Sequence, residues 1–203
     1  MTWLFRWSAA GASVRAVFQL LGCWPERRNG TVSSLEQLSS SNETFMIKKR
    51  NFNRVRSQSW DAVAHWYAGW AGQNGSHYHR TLAVPLMLEL LALKGGERLA
   101  DLGCGHGILA PPVAALGARY VGGDLSSRLV AEARRNHARH GRFLIGDVTS
   151  LPEHRLLAGG AFDAAAFLLS IQDINPLEQA LEEAARLLHP GGRLALVMLH
   201  PCF

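Results

Sequence analysis

The stretch Arg98-Leu99-Ala100-Asp101-Leu102-Gly103-Cys104-Gly105-His106-Gly107 decides the fold. An apolar run of strand length leads into a carboxylate and then into three glycines at two-residue spacing. Arg98 to Leu102 fits a short buried strand, and glycines let a backbone turn sharply and approach a bound molecule with no Cβ in the way. A ligand is therefore expected across the carboxyl end of that strand. The dinucleotide fingerprint G-x-G-x-x-G would need its third glycine at position 108, which is Ile108, so the nicotinamide and flavin readings lose their signature. Asp101 argues the same way. A carboxylate at the mouth of the turn repels a pyrophosphate and favours a ligand that carries an ammonium and a sulfonium.

Strand and helix patterns alternate on both sides of this stretch. Ile108 to Leu116 reads as a crossover helix, with a late start or a distorted first turn because Pro111 and Pro112 are tolerated only there. Arg119 to Gly123 reads as the second strand, ending in Asp124. That residue lies 21 positions after Gly103, close to the spacing at which a carboxylate reaches ribose hydroxyls. Ser126 and Ser127 supply caps for a helix over Arg128 to His140, and Gly141 stops it. Phe143 to Ile145 is a third strand closed by Gly146-Asp147-Val148. The near-continuous apolar run Phe162 to Leu169 marks a strand buried on both faces. Asn175 and Pro176 are expected as N-cap and first-turn proline of a helix over Leu177 to Leu188, before a last strand over Arg193 to Leu199. Upstream, Val63, Trp66, Tyr67 and Trp70 form the stripe of an amphipathic helix within Trp60 to Trp70. Such stripes are more often core than ligand contact. Gly72 to Gly75 breaks that helix, and Tyr78-His79-Arg80 opens the next. The alternation predicts a doubly wound, mostly parallel α/β sheet.

S-adenosylmethionine is a ligand with an ammonium and a sulfonium, and Asp-x-Gly-x-Gly-x-Gly at 101 to 107 resembles the first motif of class I S-adenosylmethionine-dependent methyltransferases. The resemblance runs from about Trp60 to Phe203. Ser170 to Asn175 and the ending His200-Pro201-Cys202-Phe203 look most like a bacterial small-molecule branch. It implies a Rossmann-like methyltransferase sheet that lacks its last two strands, with S-adenosyl-L-methionine as cofactor. It places Tyr67 near the ligand on a lid helix, Arg80 as counter-ion of the methionine carboxylate, and Asp147 against the adenine amino group with Val148 packed on the ring. Asp101, Gly103, Cys104, Gly105, Gly107, Asp124, Leu125 and Phe167 complete the expected cofactor site. Gln172, Asp173 and His200 are polar candidates at the carboxyl ends of the fourth and fifth strands, where a substrate must sit. Of these, Gln172 and His200 are the expected catalytic residues, since His200 could deprotonate an acceptor near neutral pH. Transfer of a methyl from a sulfonium is an in-line displacement governed by alignment, so an acid or base is optional. The competing reading is a non-catalytic cofactor-binding or assembly protein, because two strands of the family sheet are missing.

A chain of 203 residues fits one domain and a tail, expected as a basic leader and Ser-rich linker over 1–56 and a cofactor-binding domain over 57–203. Residues 1–56 hold nine basic and three acidic side chains and 57–203 hold twelve and thirteen, so the net charge of +5 belongs to the leader. The near-neutral body lacks the basic face that nucleic acid usually needs, and nucleic acid is not an expected partner. Lys48-Lys49-Arg50 with Phe52, Arg54 and Arg56 could touch RNA, though a solvated basic arm is the plainer reading. Cys23, Cys104 and Cys202 are odd in number and far apart, and the histidines show no ligand spacing, so neither disulfide nor metal is expected. No run of 18 apolar residues suggests a membrane span. A cytoplasmic protein is expected, and the resemblance implies a small-molecule substrate. Met46 is the expected native start. The last strand is expected to leave an uncovered edge, open to self-association unless the chain is a fragment.

Overall fold

The computed structural model describes residues 13–14, 60–151 and 159–199. Most of the leader and linker, Met46 and His200 lie outside the described residues. The sheet contains β1 (Ser13–Val14), β2 (Arg98–Leu102), β3 (Arg119–Asp124), β4 (Gly141–Ile145), β5 (Phe162–Leu168) and β6 (Leu188–Val197). Their order across the sheet is β1-β6-β5-β2-β3-β4, and every pair is parallel. The chain moves outward from β2 to β3 and β4, then returns to the other side of β2 for β5 and β6. The reversal falls between β2 and β5, and ligands of such sheets bind beyond the strand ends at that point.

The alternation of side chains along each strand divides the core in two. Leu99, Tyr120, Ala164 and Ala166 face one layer, against Met87, Leu91, Val113 and Val130 of the helices. Ala100, Leu102, Ala165 and Phe167 face the other, against Ala180, Ala184 and Leu187. Helix α1 spans 60–71, and a π-helical turn at His79–Ala83 runs into α2 (Val84–Leu91). The remaining helices are α3 (Ala110–Ala115), α4 (Ser127–His137) and α5 (Leu177–Leu187).

Both prolines stand in the first turn of α3, as the sequence required, and the helix keeps only six residues. Helix α4 is capped by the Ser126 side chain, which accepts from Leu129 N at 3.2 Å. Asn175 does not cap α5: Pro176 occupies the cap position with an extended backbone, and no side chain bonds there.

Two further expectations change. The outer edge of β6 is not bare at Arg193 and Leu194, which pair with Ser13 and Val14. Most of the aromatic stripe of α1 faces outward, with Val63 exposed, Trp66 67% and Trp70 59% exposed, while Tyr67 is half-buried and Ala64 and Ala71 are buried. Small residues on the inner side let α1 lie close to the strand ends, and helical periodicity alone could not say which stripe would face in.

Candidate functional site

The floor of the site is the turn after β2. Gly103 N and Cys104 N donate to Gly123 O at 2.8 and 3.1 Å, fastening the turn to β3. Gly103, Gly105 and Gly107 all have positive φ. At Gly105 an added Cβ would meet nothing within 4 Å, so the backbone lies bare toward the hollow. At Gly107 it would lie 2.6 Å from Phe143 Cε1. Gly107 is therefore a packing glycine under α4 and does not line the pocket, contrary to the expected cofactor contact.

Asp101 and Asp124 stand at the ends of neighbouring strands and line one pocket. Tyr120 donates its hydroxyl to Asp101 Oδ2 at 2.6 Å, but Oδ1 is fully enclosed with no partner. Burial pushes the Asp101 carboxyl up to about 7, against the lowering effect of Tyr120. An enclosed carboxylate oxygen without a donor is costly, and a bound ammonium would relieve it. Asp124 Oδ2 accepts from Gly105 N and Oδ1 from Ser126 N, each at 2.8 Å, which orients the carboxylate beside the turn. Burial raises its carboxyl above the usual range, while those two N–H groups oppose the shift. Each oxygen keeps a lone pair for a ligand hydroxyl.

Leu125, Asp147 and Val148 line the same pocket, and Asp147 Oδ1 accepts from Thr149 N and Oγ1. Cys104 lines it as well, its thiol held well above the ordinary range by burial, which makes it inert as a nucleophile. Phe167, expected at the cofactor, is turned into the opposite core layer by strand alternation. Leu168, Leu169 and Ser170 form the wall instead. Leu169 has φ 54, a strained conformation of the kind that clusters at ligand sites. Ser170 Oγ donates to Leu102 O at 2.8 Å and joins the ends of β5 and β2.

The roof is α1. Tyr67 lines the pocket as expected, with its hydroxyl pKa raised by burial and then by Asp124 and Asp173. Trp60, His79 and His106 line it too, and sequence reasoning passed over all three. Arg80, the expected counter-ion, is exposed on the outer side, where its guanidinium donates to Gly75 O. The helical turn that carries it presents the neighbouring His79 inward. Gln172 is exposed and folds back to donate to Leu169 O at 2.7 Å, so Asp173, on the same 3-10 turn, lines the pocket in its place. Four carboxylates (Asp101, Asp124, Asp147 and Asp173) and no Lys or Arg line the pocket among the described residues.

Residues 100–196 match the family model described as a methyltransferase domain. The chain is similar to the demethylmenaquinone methyltransferase of Thermus thermophilus, 38% identical over 127 residues covering 60% of this chain and 54% of that one. It is also similar to that of Beutenbergia cavernae, 35% identical over 109 residues covering 54% and 43%. The chain thus matches about half the length of these curated relatives. Among solved structures, the Haemonchus contortus phosphoethanolamine N-methyltransferase 2, in complex with phosphomonomethylethanolamine and S-adenosylhomocysteine, superposes with a TM-score of 0.58. It is 25% identical, and the match covers 70% of this chain and 34% of that one. No described helix is long and apolar enough to cross a membrane.

Proposed function

We propose that this chain, whose residues 100–196 match a methyltransferase-domain model, is a class I S-adenosylmethionine-dependent methyltransferase that methylates a small-molecule acceptor, and that this acceptor is a neutral ring compound of the hydroquinone kind. One observation carries the reading. Asp101 and Asp124 face a single hollow beside a glycine turn whose central residue leaves the backbone bare. Asp101 Oδ1 suits the ammonium of the methionine moiety, Asp124 the ribose hydroxyls, and Asp147 with Val148 the adenine. The cofactor would supply the methyl group on its sulfonium. What the protein adds is alignment and the exclusion of water under α1.

The acceptor class rests on the wall. Trp60, Tyr67, Ile108, Leu168, Leu169 and Ile174 supply an aromatic and aliphatic surface for a ring. The names of the quinone-pathway relatives agree with that surface.

The test is calorimetric titration of the full chain with S-adenosylmethionine, followed by transfer of labelled methyl to neutral hydroquinones, amines, carboxylates and phosphates. Binding with transfer to hydroquinones is expected. Absence of binding removes the cofactor reading, binding without transfer favours a non-catalytic protein, and a preference for anionic acceptors overturns the acceptor class.

A further inference from the structure

The link between α1 and α2, residues 72–76, is the hinge of the roof, and its backbone is bonded by side chains from three other places. His106 Nε2 lies 3.2 Å from Gly72 O, and His137 Nε2 of α4 lies 2.9 Å from Gln73 O. A carbonyl only accepts, so each imidazole must donate from Nε2. Ser76 N donates to His79 Nδ1 at 3.2 Å. All three rings are buried. The ring of His106 also meets Tyr67 edge-on, with centroids 5.4 Å apart. The other end of α1 is tied by Asp61, which accepts from Ser126 Oγ at 2.5 Å and from Arg128 N at 3.2 Å, at the N-terminus of α4.

His106 differs from the other ties in its place along the chain, because it stands between Gly105 and Gly107, inside the turn that forms the floor. Whatever orders that turn also sets the position of its ring, and the ring holds Gly72 and touches Tyr67. We propose that His106 is a positioning residue that couples the occupancy of the cofactor turn to the seating of the roof, with His137 as the fixed second tie of the hinge. The histidine acts through Gly72 and Tyr67, without itself contacting the reacting atoms. The cofactor-dependent half of this inference rests on the function proposed above. The hinge tie itself does not.

Hydrogen exchange over residues 60–76 of the full chain tests it, with and without S-adenosylmethionine, for the wild type, His106→Ala, His106→Gln, His137→Gln and the exposed control His65→Ala. Without ligand, His106→Ala is expected to speed exchange of the hinge amides about fivefold, the equivalent of one ordinary hydrogen bond. His106→Gln keeps an N–H near the Nε2 position and should restore most of the protection, and His65→Ala should change nothing. With ligand, the wild type should gain protection over 60–76 and His106→Ala should not, and by linkage its cofactor affinity, read by calorimetry, should fall by about the factor by which the protection is lost. Wild-type exchange in His106→Ala overturns the tie, and so does a Gln variant that behaves like Ala. Equal ligand-induced protection in His106→Ala overturns the coupling. If the wild type does not bind the cofactor, the proposed function fails by itself and the ligand-free arm still decides the tie. If His106→Ala does not fold, His106→Leu, which fills much of the ring's volume but has no donor, gives the same readout.

Discussion

The floor of the pocket, at the ends of β2 and β3, is held mostly by backbone N–H groups of one turn bonded to the neighbouring strand, whereas the roof, α1 with the link after it, is tied through side-chain bonds that span 34 to 67 positions. In the floor, three glycines and two strand-end carboxylates do the work, and each sits at a fixed offset from the next. In the roof, Asp61, His106 and His137 join elements that only folding brings together. The floor is thus a local motif, and the roof a consequence of the tertiary arrangement.

The sharpest way to break this contrast lies within the floor itself. Gly105→Val should place methyl groups in the open space where the cofactor backbone contact belongs, and cofactor affinity in a calorimetric titration should fall by about 3 kcal/mol or more. Gly107→Ala should instead cost about 2–4 kcal/mol of fold stability in a denaturant titration, because its Cβ would collide with Phe143 at a positive φ. Equal behaviour of the two variants would mean that the division between ligand-facing and packing glycine is mistaken. Next in size, Asp124→Ala should weaken cofactor binding by about 1–3 kcal/mol through lost charge-assisted hydrogen bonds. Unchanged affinity would remove Asp124 from the ribose role.

Asp101 yields a pH signature. Its carboxyl in the ligand-free fold lies at about 7, above the ordinary value of 3.8, so the proton binds the folded form more tightly. Its contribution to stability is full below about 3.8 and is lost as pH rises through about 7. An ammonium ligand prefers the ionised form, so cofactor affinity should fall as pH drops below about 7, by at most about tenfold per pH unit. Asp101→Asn should flatten that profile, and a wild-type profile that is flat between pH 5.5 and 8 would contradict the placement of the ammonium. The smallest effect belongs to the roof's outer face: Trp66→Ser should change stability by less than about 0.5 kcal/mol, since the ring is mostly in solvent. A larger loss in thermal unfolding would show that the stripe is covered.

Asp101, Gly103, Gly105, Asp124, Asp147 and Val148 were legible because strand, turn and carboxylate follow one another at short, characteristic distances. Phe167 and Leu168 are neighbours in an unbroken apolar run, and nothing in such a run says which face each will take. Arg80 and His79 pose the same difficulty on a helix, where one position is a rotation of about 100°. Gln172 was a sound choice of polar residue, one position away from Asp173, which lines the pocket. Asp61, His106 and His137 gave no signal at all, because their partners, backbone atoms and for Asp61 also the Ser126 hydroxyl, lie far along the chain.

By itself, then, the amino-acid sequence determined the doubly wound parallel sheet, the ligand turn after β2 and the two strand-end carboxylates, since periodicity and short-range spacing act through chain geometry. Only the tertiary structure decided which stripe of α1 faces the pocket, which of two adjacent side chains lines its wall, and how the hinge is tied. Those choices depend on what the rest of the chain brings alongside. The carbonyls of Gly72 and Gln73 find their donors in distant histidines.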